Sequence, residues 1–216
     1  MRLSIKRLVG LVAETLPIPE PIFEFGSLQV PGQEGFADLR PLFPGKPYVG
    51  CDMRPGPGVD RVLDLHQIDL ADGQAGTVFM LDTLEHVEYP HRAIAEIDRI
   101  LKPGGMLVMT SVMCFPIHDF PFDYWRFTPE AFRSLLKGFE SVYVTDAGGA
   151  QFPVTVAAVA FKGPPPAGLS ELRAKIAADG LHGSLVERLT PFIPPILWTW
   201  YARSKGRAVA CADGKA

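Results

Sequence analysis

A chain of 216 residues is long enough to bury one hydrophobic core, since single domains usually hold roughly 100 to 200 residues. Its 47% apolar and 21% charged residues are typical of a globular protein and exclude a disordered or fibrous one. The formal net charge of -3 gives no overall attraction to phosphate, so we expect no nucleic-acid partner.

Residues 1–20 begin with a segment in which apolar and polar residues alternate at helical spacing. This pattern predicts an amphipathic helix that packs on the domain after it. A signal peptide is disfavoured because Lys6 and Arg7 interrupt the apolar stretch and Glu14 follows closely. The apolar positions are Ile5, Leu8, Val9, Val12 and Leu16.

Residues 21–162 alternate strand-like and helix-like segments, which predicts an α/β domain with a doubly wound, mostly parallel sheet. A crossover helix is predicted in HRAIAEIDRILKPGG, because its apolar residues share one face and Pro-Gly-Gly then turns the chain. A second helix is predicted from Thr128 to about Lys137, with Thr128 as its N-cap. The parallel strands are predicted at Ile22–Gly26, Tyr48–Asp52, Val62–Leu65, Thr77–Asp82 and Met106–Ser111.

Two further strands, SVYVTDAGG and FPVTVAAVAFK, are predicted to form an antiparallel pair at one edge of the sheet. Residues 163–216 then start with the Pro-rich linker GPPPAG and continue as a helical and apolar tail. The tail's apolar run is too short to cross a bilayer. It either covers the core or contacts a membrane surface or a partner protein through Trp198, Trp200 and Tyr201.

The three cysteines, Cys51, Cys114 and Cys211, lie far apart in the sequence. Neither a metal-type CxxC spacing nor an even disulfide set can be drawn from them. We therefore predict no metal site. The same unpaired cysteines fit a reducing compartment, so we expect a cytoplasmic protein.

Acidic residues fall at the predicted strand ends, where ligands of doubly wound sheets bind. Asp52 lies 26 positions after Gly26, close to the spacing at which an acid at the end of a second strand accepts hydrogen bonds from ribose hydroxyls. A carboxylate suits this task because it has two acceptor oxygens. The alternative is that Asp52 only caps a turn.

Two further segments carry ionisable groups beyond strands. Asp64 and Leu65 are placed to receive an adenine, with turn capping again the alternative. In LDTLEHVEYP, Asp82, Glu85 and His86 follow a buried strand, where three ionisable groups seldom serve packing. This stretch therefore indicates a functional site.

The segments FEFGS, YVGCDMRPGPGVD, LDTLEHV and RILKPGGMLVMTS together resemble the class I S-adenosylmethionine-dependent methyltransferases, particularly the type 11 group. HDFPFDYWRFTPEAF is similar to a segment of a subgroup associated with sugar and surface-glycan gene clusters. The resemblance implies a Rossmann-like sheet of seven strands with the last antiparallel, and S-adenosyl-L-methionine as cofactor. It also implies methyl transfer to a small-molecule or glycan acceptor, which we expect at oxygen.

The resemblance also implies residue roles. Asp52 would hold the ribose hydroxyls, Asp64 and Leu65 would frame the adenine, and His86 would lie near the sulfonium. Glu24 and Gly26 would border the methionine and ribose, with Asp82 and Leu84 along the opposite wall. The complete predicted cofactor set is Glu24, Gly26, Ser27, Asp52, Met53, Asp64, Leu65, Asp82, Leu84 and His86.

The loop after the first strand departs from the family's E-x-G-x-G-x-G pattern, because Leu28 and Val30 stand where further glycines are common. A pyrophosphate would need the second glycine for close backbone approach, which weakens the alternative of a nicotinamide-dependent enzyme. S-adenosylmethionine has no phosphate, so Gly26 followed by Ser27 is sufficient. The atypical loop also leaves open a non-catalytic adaptor that retains the fold.

A general base is expected after the fifth strand, where an acceptor would meet the methyl group. His118 is the first candidate, with Asp119, Asp123 and His86 as alternatives. His118 would otherwise be a structural histidine of a lid. Arg126 pairs either with a nearby acid or with substrate. The aromatic residues Tyr124, Trp125 and Phe127 form either an apolar, sugar-stacking wall or part of the core.

Overall fold

The computed structural model describes residues 1–119, 121–148 and 152–181, together with positions 189, 194 and 197. In these residues seven strands form one sheet with helices on both faces. The strands are β1 (Ile22–Phe25), β2 (Tyr48–Asp52), β3 (Arg61–Val62), β4 (Ala75–Leu81), β5 (Leu101–Val112), β6 (Ser141–Gly148) and β7 (Pro153–Phe161). The α-helices are α1 (Leu3–Thr15), α2 (Pro90–Ile100), α3 (Pro129–Leu135) and α4 (Leu169–Asp179).

The strand order is β3-β2-β1-β4-β5-β7-β6, with β1 to β5 parallel and β7 antiparallel to both neighbours. The predicted fold class and the antiparallel pair at the edge are thus confirmed. The chain moves outward from β1 to β3 and then returns to place β4 on the other side of β1. This reversal places the carboxyl ends of β1 and β4 side by side, and the cleft expected beyond them is where ligands of such sheets bind.

Two strands differ from their predicted bounds by more than two residues at one end. β3 holds only Arg61–Val62, because Asp64 turns back to form an isolated bridge with Gln67 while Leu65 enters the core. β5 starts at Leu101, earlier than predicted, since Leu101 already pairs with Ala75. The Pro-Gly-Gly turn therefore lies inside β5 as an irregularity, after which regular pairing resumes.

The two faces of the sheet carry separate hydrophobic cores. One core lies under α2 and α3, where Ile97 and Phe132 are fully buried. The other lies under α1 and α4, which contact each other and bury Val9 and Leu172. All five apolar positions predicted for the N-terminal helix are buried there.

The helical start of the predicted tail is thus α4, and it covers the sheet. Trp198, Trp200 and Tyr201, on which the alternative of membrane or partner contact depends, lie outside the described residues. Among the helices that the structure describes, none has the length and apolar character needed to cross a membrane.

Candidate functional site

The loop after β1 is held tightly at the edge of the cleft. Gly26 and Ser27 both donate their backbone N–H groups to the Cys51 carbonyl of β2, at 2.9 and 3.1 Å. Gly26 has φ +86°, and a Cβ built on it would overlap the hydroxyl of Thr83, beyond β4. Only glycine tolerates both conditions, so this position requires it. The contacts with Cys51 and Thr83 show that the carboxyl ends of β1, β2 and β4 meet here.

The next residues of this loop pack on the loop after β2. Gln29 donates its N–H to the Pro57 carbonyl at 2.9 Å. A Cβ on Gly56 would lie 2.5 Å from Leu28 Cδ1, and one on Gly58 would lie 2.5 Å from the Ser27 carbonyl oxygen. The loop after β2 therefore has glycines at the positions that pack on the loop after β1. The absence of a side chain at these positions leaves room for Leu28.

Asp52 ends β2 at the predicted position. Its Oδ1 accepts a hydrogen bond from the Arg54 N–H at 2.9 Å, so the turn-capping interpretation is correct for this oxygen. The neighbouring Met53 side chain is exposed. Capping orients the carboxylate but does not by itself supply a ligand contact.

Asp64 also caps a turn. Its Oδ1 accepts from the His66 N–H and lies 2.8 Å from His66 Nδ1, while His66 Nε2 accepts from the Tyr89 N–H. Nδ1 is therefore the protonated ring nitrogen. Leu65, predicted to frame an adenine, lies in the hydrophobic core beside this turn.

Asp82, the first residue after β4, pairs with Arg2. The guanidinium reaches both carboxylate oxygens, at 2.7 and 3.0 Å, and Thr110 Oγ1 donates to Oδ1 at 3.1 Å. Arg2 also lies 5.6 Å from the ring centroid of Phe115. The segment before α1 thus reaches the cleft, a contact that no local pattern in the sequence signals. Leu84, the next predicted contact, is fully buried.

Glu24 is buried within β1, and Tyr48 Oη donates to its Oε2 at 2.7 Å. Burial raises the pKa of this carboxyl to about 7, although Tyr48 and the nearby Arg40 act in the opposite direction. Arg40 is itself bound to Asp60 and to the Gly58 carbonyl. The sequence signal for this residue was its position, with Gly26, at the end of the first predicted strand.

Glu85 is a fully buried carboxylate in the stretch after β4. Ser111 Oγ donates to its Oε2 at 2.6 Å, while Oε1 is buried without a hydrogen-bond partner in the described part of the chain. Burial, followed by the charge of Asp82, raises the pKa of Glu85 to about 8. His118 Nε2 lies 4.0 Å from Oε1. The sequence analysis named Glu85 as one of three ionisable residues after a buried strand but predicted no role for it.

His86 and His118 meet edge to face beside Glu85, with ring centroids 4.8 Å apart. His86 Nδ1 lies 2.7 Å from the Phe122 carbonyl oxygen. His118 Nδ1 lies 3.2 Å from the Pro116 carbonyl oxygen and 3.3 Å from Asp123 Oδ2. Since these neighbours only accept, each Nδ1 carries the proton and each Nε2 keeps its lone pair. Burial lowers the pKa of His118.

The segment after β5 resolves two alternatives. Arg126 donates to both oxygens of Asp123, at 2.6 and 2.8 Å, so it pairs with an acid. Phe127 is buried against Phe132 and belongs to the core.

The other aromatic residues of this segment remain accessible. Tyr124 and Trp125 are 42% and 43% exposed, and Trp125 Nε1 donates to the Val87 carbonyl. Asp119 is exposed and pairs with Arg54 from the loop after β2, at 3.3 Å. The structure therefore brings His86 and His118 together and directs Asp119 elsewhere.

Comparison with known proteins agrees with this architecture. A family model described as a methyltransferase domain matches residues 48–109. No curated protein matches the sequence significantly. One similar solved structure is a methyltransferase of Thermotoga maritima titled a possible histamine N-methyltransferase. It has 21% identity and a TM-score of 0.53, and the match covers 74% of this chain and 89% of that one.

Two other structures share the fold. The 1,6-didemethyltoxoflavin N1-methyltransferase of Burkholderia thailandensis, solved with S-adenosylhomocysteine, has 15% identity and a TM-score of 0.56 over 75% of this chain and 79% of that one. SpnF, titled a [4+2]-cyclase, has 18% identity and a TM-score of 0.53 over 74% and 82%. The cyclase illustrates that the fold alone does not fix the reaction.

The methyltransferase-domain match over residues 48–109, taken with the sheet order, supports a class I S-adenosylmethionine-dependent methyltransferase with S-adenosyl-L-methionine as its cofactor. The residues present fit this group: Gly26 lets the chain turn at φ +86° directly after β1, and Asp52 ends β2 as an oriented carboxylate. The first loop lacks the glycines of a pyrophosphate site, which this cofactor does not need.

Proposed function

We propose that this protein transfers the methyl group of S-adenosylmethionine to a hydroxyl oxygen of a small sugar or glycan acceptor. The observation that carries the proposal is the imidazole of His118. It lies beyond β5, has a free lone pair on Nε2, and is oriented through Nδ1 by Asp123. Exposed aromatic rings lie in the same segment.

The cofactor contacts in this proposal follow from the strand ends. Gly26 and Ser27 lie beside the cofactor at the end of β1. Asp52 accepts hydrogen bonds from its ribose hydroxyls, and Asp64 and Leu65 border its adenine. Glu24, Met53, Asp82, Leu84 and His86 complete the surroundings. When bound, the cofactor supplies an electrophilic methyl carbon on a positively charged sulfur.

The chain's own contribution is alignment, exclusion of water and acceptance of one proton. Good positioning of two reactants is worth about 7–11 kcal/mol. In the metal-free protein, His118 Nε2 takes the hydroxyl proton, and the Asp123 carboxylate stabilises the imidazolium that forms. Asp119 is a weaker candidate because its carboxylate is exposed and paired with Arg54.

The acceptor class is proposed from the exposed rings of Tyr124 and Trp125. An aromatic face offers apolar contact to the C–H face of a sugar, while the phenol hydroxyl supplies a polar contact at its edge. Trp125 is fixed by its hydrogen bond to Val87, so its ring is already oriented before an acceptor arrives.

The test is an assay of S-adenosylhomocysteine formation with two acceptor panels, one of monosaccharide glycosides and one of small amines. We expect turnover with a glycoside and an O-methyl product by nuclear magnetic resonance. His118→Ala should lower kcat by roughly 10²- to 10⁴-fold while cofactor affinity stays unchanged. His91→Ala, an exposed histidine on α2, is the control.

Methylation of amines only would contradict the proposed acceptor class. Cofactor binding without turnover on any cellular acceptor would instead favour the alternative of a non-catalytic protein with the methyltransferase fold. The two outcomes are separable because binding and turnover are measured on the same sample.

A further inference from the structure

The stretch after β4 and the loop after β5 bring together Glu85, His86 and His118, and one ligand atom from each lies within 4.8 Å of the others. We propose that Glu85 Oε1, His86 Nε2 and His118 Nε2 bind one divalent transition-metal ion. The sequence predicted no metal site, because metal spacing was sought among the cysteines and His118 is remote from the other two residues in the chain.

The first support is the carboxylate of Glu85. Its Oε2 accepts a hydrogen bond from Ser111, while its Oε1 is buried, has no hydrogen-bond partner in the described part of the chain, and lies 4.0 Å from His118 Nε2. A buried polar atom without a partner costs about 1–3 kcal/mol, and more when it carries charge. A cation on Oε1 removes that cost.

The second support is the orientation of both imidazoles. Histidines that bind metals almost always donate the other ring N–H to a carbonyl or a carboxylate. His86 does so toward the Phe122 carbonyl, and His118 does so toward the Pro116 carbonyl and Asp123. Both Nε2 lone pairs are thereby fixed as the available ligand atoms.

The distances are compatible with one ion after a small adjustment. Nitrogen and oxygen ligands lie about 2.0–2.2 Å from a metal such as zinc, so two ligands of one ion are at most about 4.4 Å apart. His118 Nε2 and Glu85 Oε1, at 4.0 Å, already satisfy this limit. The wider separations, up to 4.8 Å, exceed this limit by only about 0.4 Å, which a small shift of the half-buried His86 and His118 side chains would close.

The ligand types select the metal class. Two imidazoles and one carboxylate suit Zn²⁺, Fe²⁺, Co²⁺ or Mn²⁺, whereas Mg²⁺ and Ca²⁺ prefer oxygen ligands alone. Three protein ligands leave at least one position open. If the proposed function also holds, an acceptor hydroxyl at that position has its pKa lowered by the ion, which replaces proton acceptance by His118.

The experiment uses the full chain, treated with a chelator and dialysed, and Co²⁺ alone as the probe. Equilibrium dialysis and the visible absorption spectrum should show one ion per chain with nitrogen and oxygen ligation. Glu85→Gln, His86→Ala and His118→Ala should each weaken binding at least about tenfold, the loss that even an outer-shell partner causes. His91→Ala should bind as the wild type does.

Folding of each variant is checked by circular dichroism. If Glu85→Gln does not fold, the two histidine variants decide, because their side chains are only half-buried. The proposal is overturned if the wild type binds no Co²⁺, or if folded His86→Ala and His118→Ala retain full affinity. The readout is independent of methyl transfer, so failure of the proposed function and failure of the metal site are distinguishable.

Discussion

Gly26 and Thr83 lie so close that the threonine hydroxyl occupies the space that a side chain at position 26 would need. Thr83 Oγ1 is 3.1 Å from the carbonyl oxygens of both Phe25 and Leu81, so it is anchored at the ends of β1 and β4. The loop after β1 and the stretch after β4 therefore form one unit. A change in either one displaces the other.

This contact makes a prediction for Gly26→Ala. A side chain there meets the left-handed strain of φ +86°, about 1–2 kcal/mol, and in addition the overlap with Thr83, which adds about 1–3 kcal/mol. Gly32→Ala is the control, because Gly32 has φ +84° and open space. Urea unfolding should show the larger loss for Gly26→Ala, with loss of cofactor binding by calorimetry. Equal losses in both variants would refute the role of Thr83.

Asp52→Ala should weaken S-adenosylmethionine binding by about 10- to 100-fold, because hydrogen bonds to a charged group are worth about 1.5–3 kcal/mol. The affinity of Asp52→Asn should lie between those of the wild type and Asp52→Ala, since asparagine keeps one acceptor oxygen. Isothermal titration calorimetry measures both. Asp69→Ala, at a carboxylate that is 96% exposed, should bind normally. Unchanged affinity in Asp52→Ala would leave Asp52 as a turn cap only.

Glu24 should make the folded state less stable as pH rises. Its pKa is about 7 in the fold and 4.5 in the unfolded chain, so between these values the folded state holds the extra proton. The stabilisation is complete below pH 4.5 and lost as pH passes 7, a change of about 3 kcal/mol. The difference in unfolding free energy between wild type and Glu24→Gln should change by this amount from pH 4.5 to 8. The exposed Glu140→Gln should show no such trend.

Arg2 and Asp82 should be energetically coupled. Their two-oxygen contact is well shielded, with side chains 13% and 21% exposed, so a double-mutant cycle should give about 1–3 kcal/mol. The comparison pair is Arg7 of α1 and Asp179 of α4, which are 3.6 Å apart with side chains 44% and 31% exposed. Their coupling should stay below about 1 kcal/mol. Similar values for both pairs would contradict the importance of the Arg2 contact.

Most strands and helices could be predicted from the sequence because they depend on local patterns of apolar and turn-forming residues. Alternation of apolar segments and the Pro-Gly-Gly turn predicted β4, α2 and β5, whereas the ligand site expected from the acids at the strand ends stays a prediction. β3 was predicted too long because Asp64 is held by a turn, which apolar periodicity does not register.

The rest depends on contacts between distant segments. Gly56 and Gly58 replace the missing glycines of the first loop, a compensation visible only when the two loops are packed together. Arg2 reaches Asp82 through the packing of α1, and the partners of Glu85 Oε2 and His118 Nδ1 come from Ser111 and Asp123. No spacing rule links these positions.

The pairing of α1 with α4 has a consequence for synthesis of the chain. Among the described helices, α1 is made first and its neighbour on the sheet, α4, is made last. Until residues 169–179 are available, the apolar face of β1, β4, β5 and β7 that they share with α1 is only partly covered. The nascent chain therefore exposes apolar surface until α4 has been made. Chains truncated before Leu169 should aggregate for this reason.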